Sequence, residues 1–241
     1  IQEVNITLSG RNWEVAQNGN LIQPLTSIKG LGDKAMDQIL EHRPFNGIEE
    51  LLFNEDISYS KLNKKALDVL VRSGACDSIS DSRFKNCKHL WMSVANDRPK
   101  NKKKLEENIE KYRNEPDFSE EEKIENVVNL TGIFPFELVL DNKVKERLNY
   151  LKVPPLAEFD EALQLCWFIP REIIPKKTRN GKTFWIINAI DETCQTTNIK
   201  CWNVRPNEKV HLNRPYVSKL EYDPQWGFST RSIKWNFKLV G

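Results

Sequence analysis

The spacing of apolar positions changes along this chain, and the changes divide it into three stretches. From Ile1 to about Ile79, short helical patterns alternate with glycine-centred turns. Ala35, Ile39 and Leu40 share one helix, and Leu62, Ala66, Val69 and Leu70 form the apolar face of a second that Gly74 ends. From Ser80 to about Val153 the pattern stays helical but charge dominates. Leu105, Ile109 and Tyr112 make a narrow stripe, Pro116 ends that helix, and Ser119 followed by Glu120-Glu121-Glu122 marks the start of the next. Pro154-Pro155 is a stiff break. Beyond it the runs Leu163–Ile174, Phe184–Ile190, Asn198–Val204, Pro215–Tyr222 and Gly227–Leu239 predict five or six short strands, with Asn180-Gly181 as a two-residue hairpin turn. So many short strands in so little chain suggest a small barrel.

Composition changes this picture little. The 241 residues are 39% hydrophobic and 29% charged, the balance of a soluble globular chain with one or two cores. No apolar run approaches the roughly 20 residues that span a bilayer, so no membrane partner is expected. The opening Ile1-Gln2-Glu3 carries neither an initiator Met nor a basic-then-apolar leader, as expected of a cytoplasmic fragment without a secretory signal. At a net charge of +2, acids and bases nearly cancel, and any nucleic-acid footprint must come from local clustering. The cysteines Cys76, Cys87, Cys166, Cys194 and Cys201 form no C-x-x-C pair, and His42, His89 and His211 are scattered. A structural zinc site is therefore not expected, and the thiols read as reduced.

The sharpest local signal is Ile28-Lys29-Gly30-Leu31-Gly32-Asp33-Lys34-Ala35. Leu31 is expected to plug a core while Gly30 and Gly32 permit a tight turn free of side chains. Backbone N–H groups at the following helix start then form a cradle for phosphate, with Lys29 and Lys34 beside it. This is the pattern of a helix-hairpin-helix motif, which grips DNA by its backbone without reading sequence. The plainer alternative is a glycine-rich turn before a helix. The segment from Lys61 to Gly74, containing Lys64, suggests a second, weaker hairpin in tandem.

Lys176, Lys177, Arg179 and Lys182 surround the Asn180-Gly181 turn without an acid among them, and the neighbouring strands carry Trp167, Phe168, Phe184, Trp185 and Trp202. A basic groove and aromatic stacking faces are the two devices that hold single-stranded nucleic acid. Strand alternation puts Phe184 and Ile186 on one face and Trp185 and Ile187 on the other, and leaves open which face is inward. The basic run Arg98 to Lys104 reads as a solvated helix start with phosphate contact as the alternative. No D-x-D stands in a strand context, and no P-loop, G-x-S-x-G or H-E-x-x-H is present, so no catalytic residue or metal ligand is assigned.

Leu25-Thr26-Ser27-Ile28-Lys29-Gly30-Leu31-Gly32, then Arg43-Pro44-Phe45, Lys61-Leu62-Asn63-Lys64 and Arg72-Ser73-Gly74-Ala75-Cys76-Asp77 resemble the C-terminal half of family C DNA polymerases, the bacterial DNA polymerase III alpha subunits. Gly181-Lys182 through Asp191-Glu192-Thr193 resembles a stretch of that family's OB domain. The match is specific from Leu25 to Ile79 and looser beyond, which together with the truncation suggests a phage-like relative. The resemblance implies an α+β multidomain chain: a segment 1–24 leading out of the fingers, a tandem helix-hairpin-helix domain at 25–80, a charged helical connector at 81–158 and an OB-fold β-barrel at 159–241. It implies duplex phosphate contacts through Lys29, Gly30, Gly32, Lys34, Lys64 and Gly74. Single-strand contacts would fall to Lys176, Lys177, Arg179, Lys182, Trp185 and Trp202. No cofactor is expected here; the catalytic aspartates and Mg2+ would belong to the remainder of the polymerase. A sliding clamp is a further candidate partner, through Gln164-Leu165-Cys166-Trp167-Phe168, although that segment also reads as a barrel strand. The alternatives are a stand-alone single-stranded-DNA-binding accessory protein and a protein-interaction scaffold of the replisome.

Overall fold

The computed structural model describes residues 1–240, which form two compact units, one from Ile1 to Pro135 and one from Phe136 onward. The first unit opens with a two-stranded ladder, β1 (Glu14–Val15) and β2 (Leu21–Ile22). Helices α1 (Asp33–His42), α2 (Ile48–Phe53) and α3 (Lys64–Arg72) follow. Next come α4 (Cys87–Trp91), which runs into a π-turn at Met92–Asn96, then α5 (Lys102–Lys111) and α6 (Glu120–Thr131). Several starts are set by side chains that take up first-turn N–H groups. Asn63, Asn86 and Asn101 accept from the residue three positions on, and Ser119 and Glu122 close a reciprocal capping box.

One core serves this whole unit. Leu31, Ile39, Leu62 and Leu70 from the hairpins meet Leu90, Val94, Leu105, Ile109 and Leu130 from the later helices. The charged helices up to α6 are therefore walls of the hairpin unit, each contributing a narrow apolar stripe beneath a solvated face. The leading segment is equally integral. Val4 and Ile6 are buried, Ile6 N–H donates to Ala75 O at 2.8 Å, and the Arg43 guanidinium donates to Ser9 O at 2.8 Å. Phe45, Ala75 and Cys76 are core residues, so much of the R-P-F and G-A-C pattern serves packing.

The second unit carries α7 (Phe136–Val139), α8 (Asn142–Leu151), then β3 (Leu165–Lys177), β4 (Thr183–Ile190) and β5 (Thr197–Cys201). It continues through β6 (Tyr216–Lys219), β7 (Glu221–Asp223), β8 (Gly227–Thr230), a short helix α9 (Ile233–Asn236) and β9 (Phe237–Leu239). The sheet order is β7-β8-β5-β4-β3-β6-β9, antiparallel except for the β5–β8 pair. β6 and β7 are consecutive parts of one strand bent at buried Leu220, one against β3 and the other against β8. That bend joins the two margins of the sheet and curls it into an OB-like barrel. Cys166, Phe168, Ile187, Ala189, Ile199 and Cys201 fill the interior.

Two predicted details differ. The turn after β3 is not a two-residue hairpin: Thr178 N–H donates to Lys182 O at 2.9 Å, leaving a three-residue loop with Gly181 at φ +75°. A two-residue Asn-Gly turn of type I′ needs positive φ at both central residues, and here Gly181 has it while Asn180 does not. The last apolar run gives two strands, within the one or two expected, but the short helix α9 between β8 and β9 was not foreseen.

Candidate nucleic-acid interface

The two hairpins are built on the same plan. In each, a buried leucine points into the core, Leu31 in the first and Leu62 in the second, and a helix begins two residues later. Gly30 has φ +90°, a conformation that L side chains rarely adopt, and a Cβ there would stand 3.6 Å from Val69 Cγ1 and 3.7 Å from Lys65 Cε. The first turn therefore lies directly against α3. Between them is a groove of about 680 Å3 lined by Gly30, Gly32, Asp33, Lys34, Ser60, Lys61, Asn63 and Lys65.

The chemistry of this groove is that of an anion site. Gly32 is the N-cap of α1 and offers no side-chain cap, and Ala35 and Met36 N–H both return to Gly32 O. The amides of Asp33 and Lys34 precede the helical ladder and are left for a ligand. Lys34, Lys61 and Lys65 supply positive charge around them. The carboxylate of Asp33 is paired with Arg11 at 3.4 Å, and the same guanidinium also holds Asp37, which offsets the one acid among the lining residues.

Of the residues expected at duplex phosphates, the structure brings Gly30, Gly32 and Lys34 together in the groove. Lys29 is exposed beside it, with its N–H bonded to Leu130 O at 2.8 Å. Lys64 is exposed in the first turn of α3 and is not among the residues lining the groove. Gly74 is not part of the groove. It follows the far end of α3, at φ +81°, and nine residues of helix put it about 13 Å away. There it terminates the helix, as a left-handed glycine commonly does. Lys61 and Lys65 were not singled out in the sequence. Superposing Leu31 on Leu62 would have found Lys65, which then falls on Lys34.

Beyond the groove, Arg98 stacks its guanidinium on Tyr59 at 3.5 Å and donates to Tyr59 O at 2.8 Å. Desolvation lowers its pKa, and no carboxylate partners it among the described residues. The rest of that basic run begins α5, with Asn101 capping and Lys102 paired to Glu49 at 3.3 Å.

On the barrel, Lys176 and Lys177 end β3 and Arg179 and Lys182 sit in the exposed turn. Trp185 packs against the interior core, on the same face as Ile187 and Ala189. It is therefore not a surface partner of Trp202. Phe184 takes that place, stacked on Trp202 with ring centroids 4.7 Å apart and planes 30° from parallel. Lys176 is the cross-strand neighbour of Phe184, so charge and rings share one outer face. Next to them Lys200 donates to Trp226 O at 2.9 Å and lies over the Trp226 ring.

The remaining motif residues are structural. Asp191 is buried; its carboxylate accepts from Thr193 N and Oγ1 and from Ala157 N, which ties the turn before β3 to the end of β4. Trp167 and Phe168 are buried in β3, leaving the Gln164–Phe168 segment no free aromatic pair for a clamp.

A helix-hairpin-helix motif family matches residues 1–86. DNA polymerase III subunit alpha of Borreliella burgdorferi is 34% identical over 109 residues, which cover 43% of this chain and 9% of that protein. The subunit of Aquifex aeolicus is 28% identical over 201 residues, covering 79% of this chain and 16% of that protein. That of Buchnera aphidicola is 26% identical over 168 residues, covering 66% and 14%. The chain thus spans less than a fifth of the length of these relatives. They are bacterial proteins, and they lend no support to a phage-like origin.

Proposed function

Starting from a chain that matches a helix-hairpin-helix motif family over residues 1–86 and is similar to DNA polymerase III subunit alpha, we propose that it is a sequence-independent DNA-gripping part of a replicative polymerase. The observation that carries this reading is the groove where the open start of α1 meets Lys34, Lys61 and Lys65. Amides and lysines converging on one concave strip fit a duplex backbone, which offers phosphates at regular spacing and asks for no base contact. In this reading nucleotidyl transfer and its Mg2+ belong to another part of the parent chain.

The barrel takes the single-stranded template. The Phe184–Trp202 stack beside Lys176 supports this part, because stacked rings accept any base and each such contact is worth about 1–3 kcal/mol. Lys177, Arg179 and Lys182 extend the charge along the strand path.

Fluorescence anisotropy of the intact chain with labelled duplex and single-stranded oligonucleotides tests both halves. Duplex affinity is expected to fall steeply between about 50 and 200 mM salt. Phe184→Ala/Trp202→Ala is expected to weaken single-strand binding selectively. Binding that ignores salt, or no binding at low salt, would sink the proposal and favour a protein-interaction scaffold.

A further inference from the structure

The second unit holds a groove of different chemistry from either DNA surface. It lies between α8 and the outermost strand of the sheet, encloses about 580 Å3, and is lined by Lys143, Arg147, Leu151, Val217, Lys238 and Leu239, with Val240 at its end. Lys143, Arg147 and Leu151 recur every four residues and form one stripe of α8, while the neighbouring stripe of Val144 and Leu148 is buried. Val217 and Lys238 are cross-strand partners of β6 and β9 and share a face. Leu151 and Val217 give an apolar floor with three cations at its rim, while Leu239, paired with Tyr216, turns its side chain to the other face of the sheet and lends the groove its backbone.

Neither Lys143, Arg147 nor Lys238 has a carboxylate within ion-pair distance among the described residues, whereas nearby Lys145 is paired with Glu137 at 2.8 Å. On that floor Leu151 remains 41% exposed. β9 is also an edge. Val240 N–H donates to Pro215 O at 2.9 Å, and alternation along an antiparallel pair then turns the peptide groups of Leu239 away from β6.

We propose that this groove docks an extended acidic peptide of a protein partner, which sets an apolar side chain on Leu151 and Val217. Its carboxylates meet Lys143, Arg147 and Lys238. Its main chain pairs with the open edge at Leu239, the strand-addition mode of peptide recognition. A nucleic-acid backbone fits less well, because it would leave the apolar floor uncovered.

The test uses the intact chain and a labelled 12-residue peptide of alternating Asp or Glu and Leu or Phe, titrated by anisotropy; the comparison peptide carries Lys in place of every acid. Salt-sensitive binding of the acidic peptide alone is expected, weakened roughly tenfold or more by Lys143→Glu/Arg147→Glu and less by Lys143→Gln/Arg147→Gln. Proline at the centre of the peptide should weaken it too, through the lost main-chain donor. Lys61→Glu/Lys65→Glu, in the other unit, should leave peptide binding unchanged, so failure of the DNA reading and of this one can be told apart. The altered side chains are at the surface, and unchanged circular dichroism verifies the fold. No binding at millimolar peptide, equal binding of the basic peptide, or indifference to the charge reversals overturns the proposal. Loss of single-stranded DNA binding by the same reversals, with peptide binding intact, reassigns the surface to nucleic acid.

Discussion

The two hairpins share a plan and differ in one residue that decides their chemistry. Each places a leucine in the core and starts a helix two positions later, but the first is capped by Gly32 and the second by Asn63. Asn63 Oδ1 accepts from Ala66 N–H at 3.0 Å, so the second helix satisfies part of its own start. Gly32 has no side chain to do so, and it leaves a bare approach to the amides behind it. The first hairpin offers open backbone and Lys34, and the second offers Lys61 and Lys65. A groove that contains one of each can hold phosphate by directed hydrogen bonds and by charge at once.

The largest effect should come from the charge. Lys61→Glu/Lys65→Glu replaces two attractions with two repulsions, and duplex affinity at low salt is expected to fall roughly a hundredfold. The salt slope should fall by about two, one for each lysine. Lys64→Glu, one position away but outside the groove lining, should do far less in the same titration. An equal loss from Lys64→Glu would show that the lysines act as a diffuse field rather than as groove walls.

Anchoring differs between the hairpins as well. On α3, Asp68 takes two hydrogen bonds from Arg72 and one from the Trp91 indole at 2.7 Å, and Arg72 reaches Asn126 at 3.1 Å, so one half-buried network joins α3, α4 and α6. Burial pushes the Asp68 carboxyl up, but the hydrogen bonds from Arg72 and Trp91 together outweigh it and hold it below its ordinary range. Because the folded value is depressed, this stabilisation is full above the unfolded carboxylate pKa of about 4 and is lost as pH falls through the folded value. Asp68→Ala should cost about 2 kcal/mol near neutral pH in a denaturant titration, with the cost shrinking in acid. Arg11, which holds Asp33 and Asp37 at the surface of the first hairpin, should leave the melting temperature nearly unchanged when replaced by Ala.

How much of this was legible in the sequence follows from what each pattern encodes. Leu31 between two glycines specified its own burial and the turn around it, and the strand runs with their turns specified a small barrel. Alternation could divide Phe184 from Trp185 but not say which faced inward, because both faces of β4 are apolar; the packing of Ile187 and Ala189 settles it. Which of Lys61, Lys64 and Lys65 meets the groove depends on how α3 lies against Gly30, a contact between residues far apart in the chain. The charged helices hid their role for a similar reason. Leu105 and Ile109 look sparse along the sequence, and only the assembled core shows that they are enough.

Gly30→Ala should come next in size. Its φ of +90° makes any side chain strained, at a cost of about 1–2 kcal/mol, while the 3.6 Å approach to Val69 is ordinary contact and adds little. Duplex binding should fall along with stability, which makes this substitution a poor separator of the two.

The smallest change in stability should give the cleanest test of the comparison, and it is a reciprocal exchange of caps. Gly32 has φ −76° and ψ 152°, which any residue adopts, and a Cβ there would meet nothing within 4 Å. Gly32→Asn should therefore let the first helix cap itself and gain a few tenths of a kcal/mol, while its side chain fills the space in front of the open amides that phosphate would use. Asn63→Gly should lose a similar few tenths and leave a second bare helix start beside Lys61 and Lys65. In paired denaturant and anisotropy titrations, the first variant is expected to be slightly more stable and to bind duplex several-fold more weakly. The second should be slightly less stable and bind at least as well as the parent. If Gly32→Asn bound duplex as the unaltered chain does, the open amides of α1 would have no part in the grip, and the lysines alone would account for it.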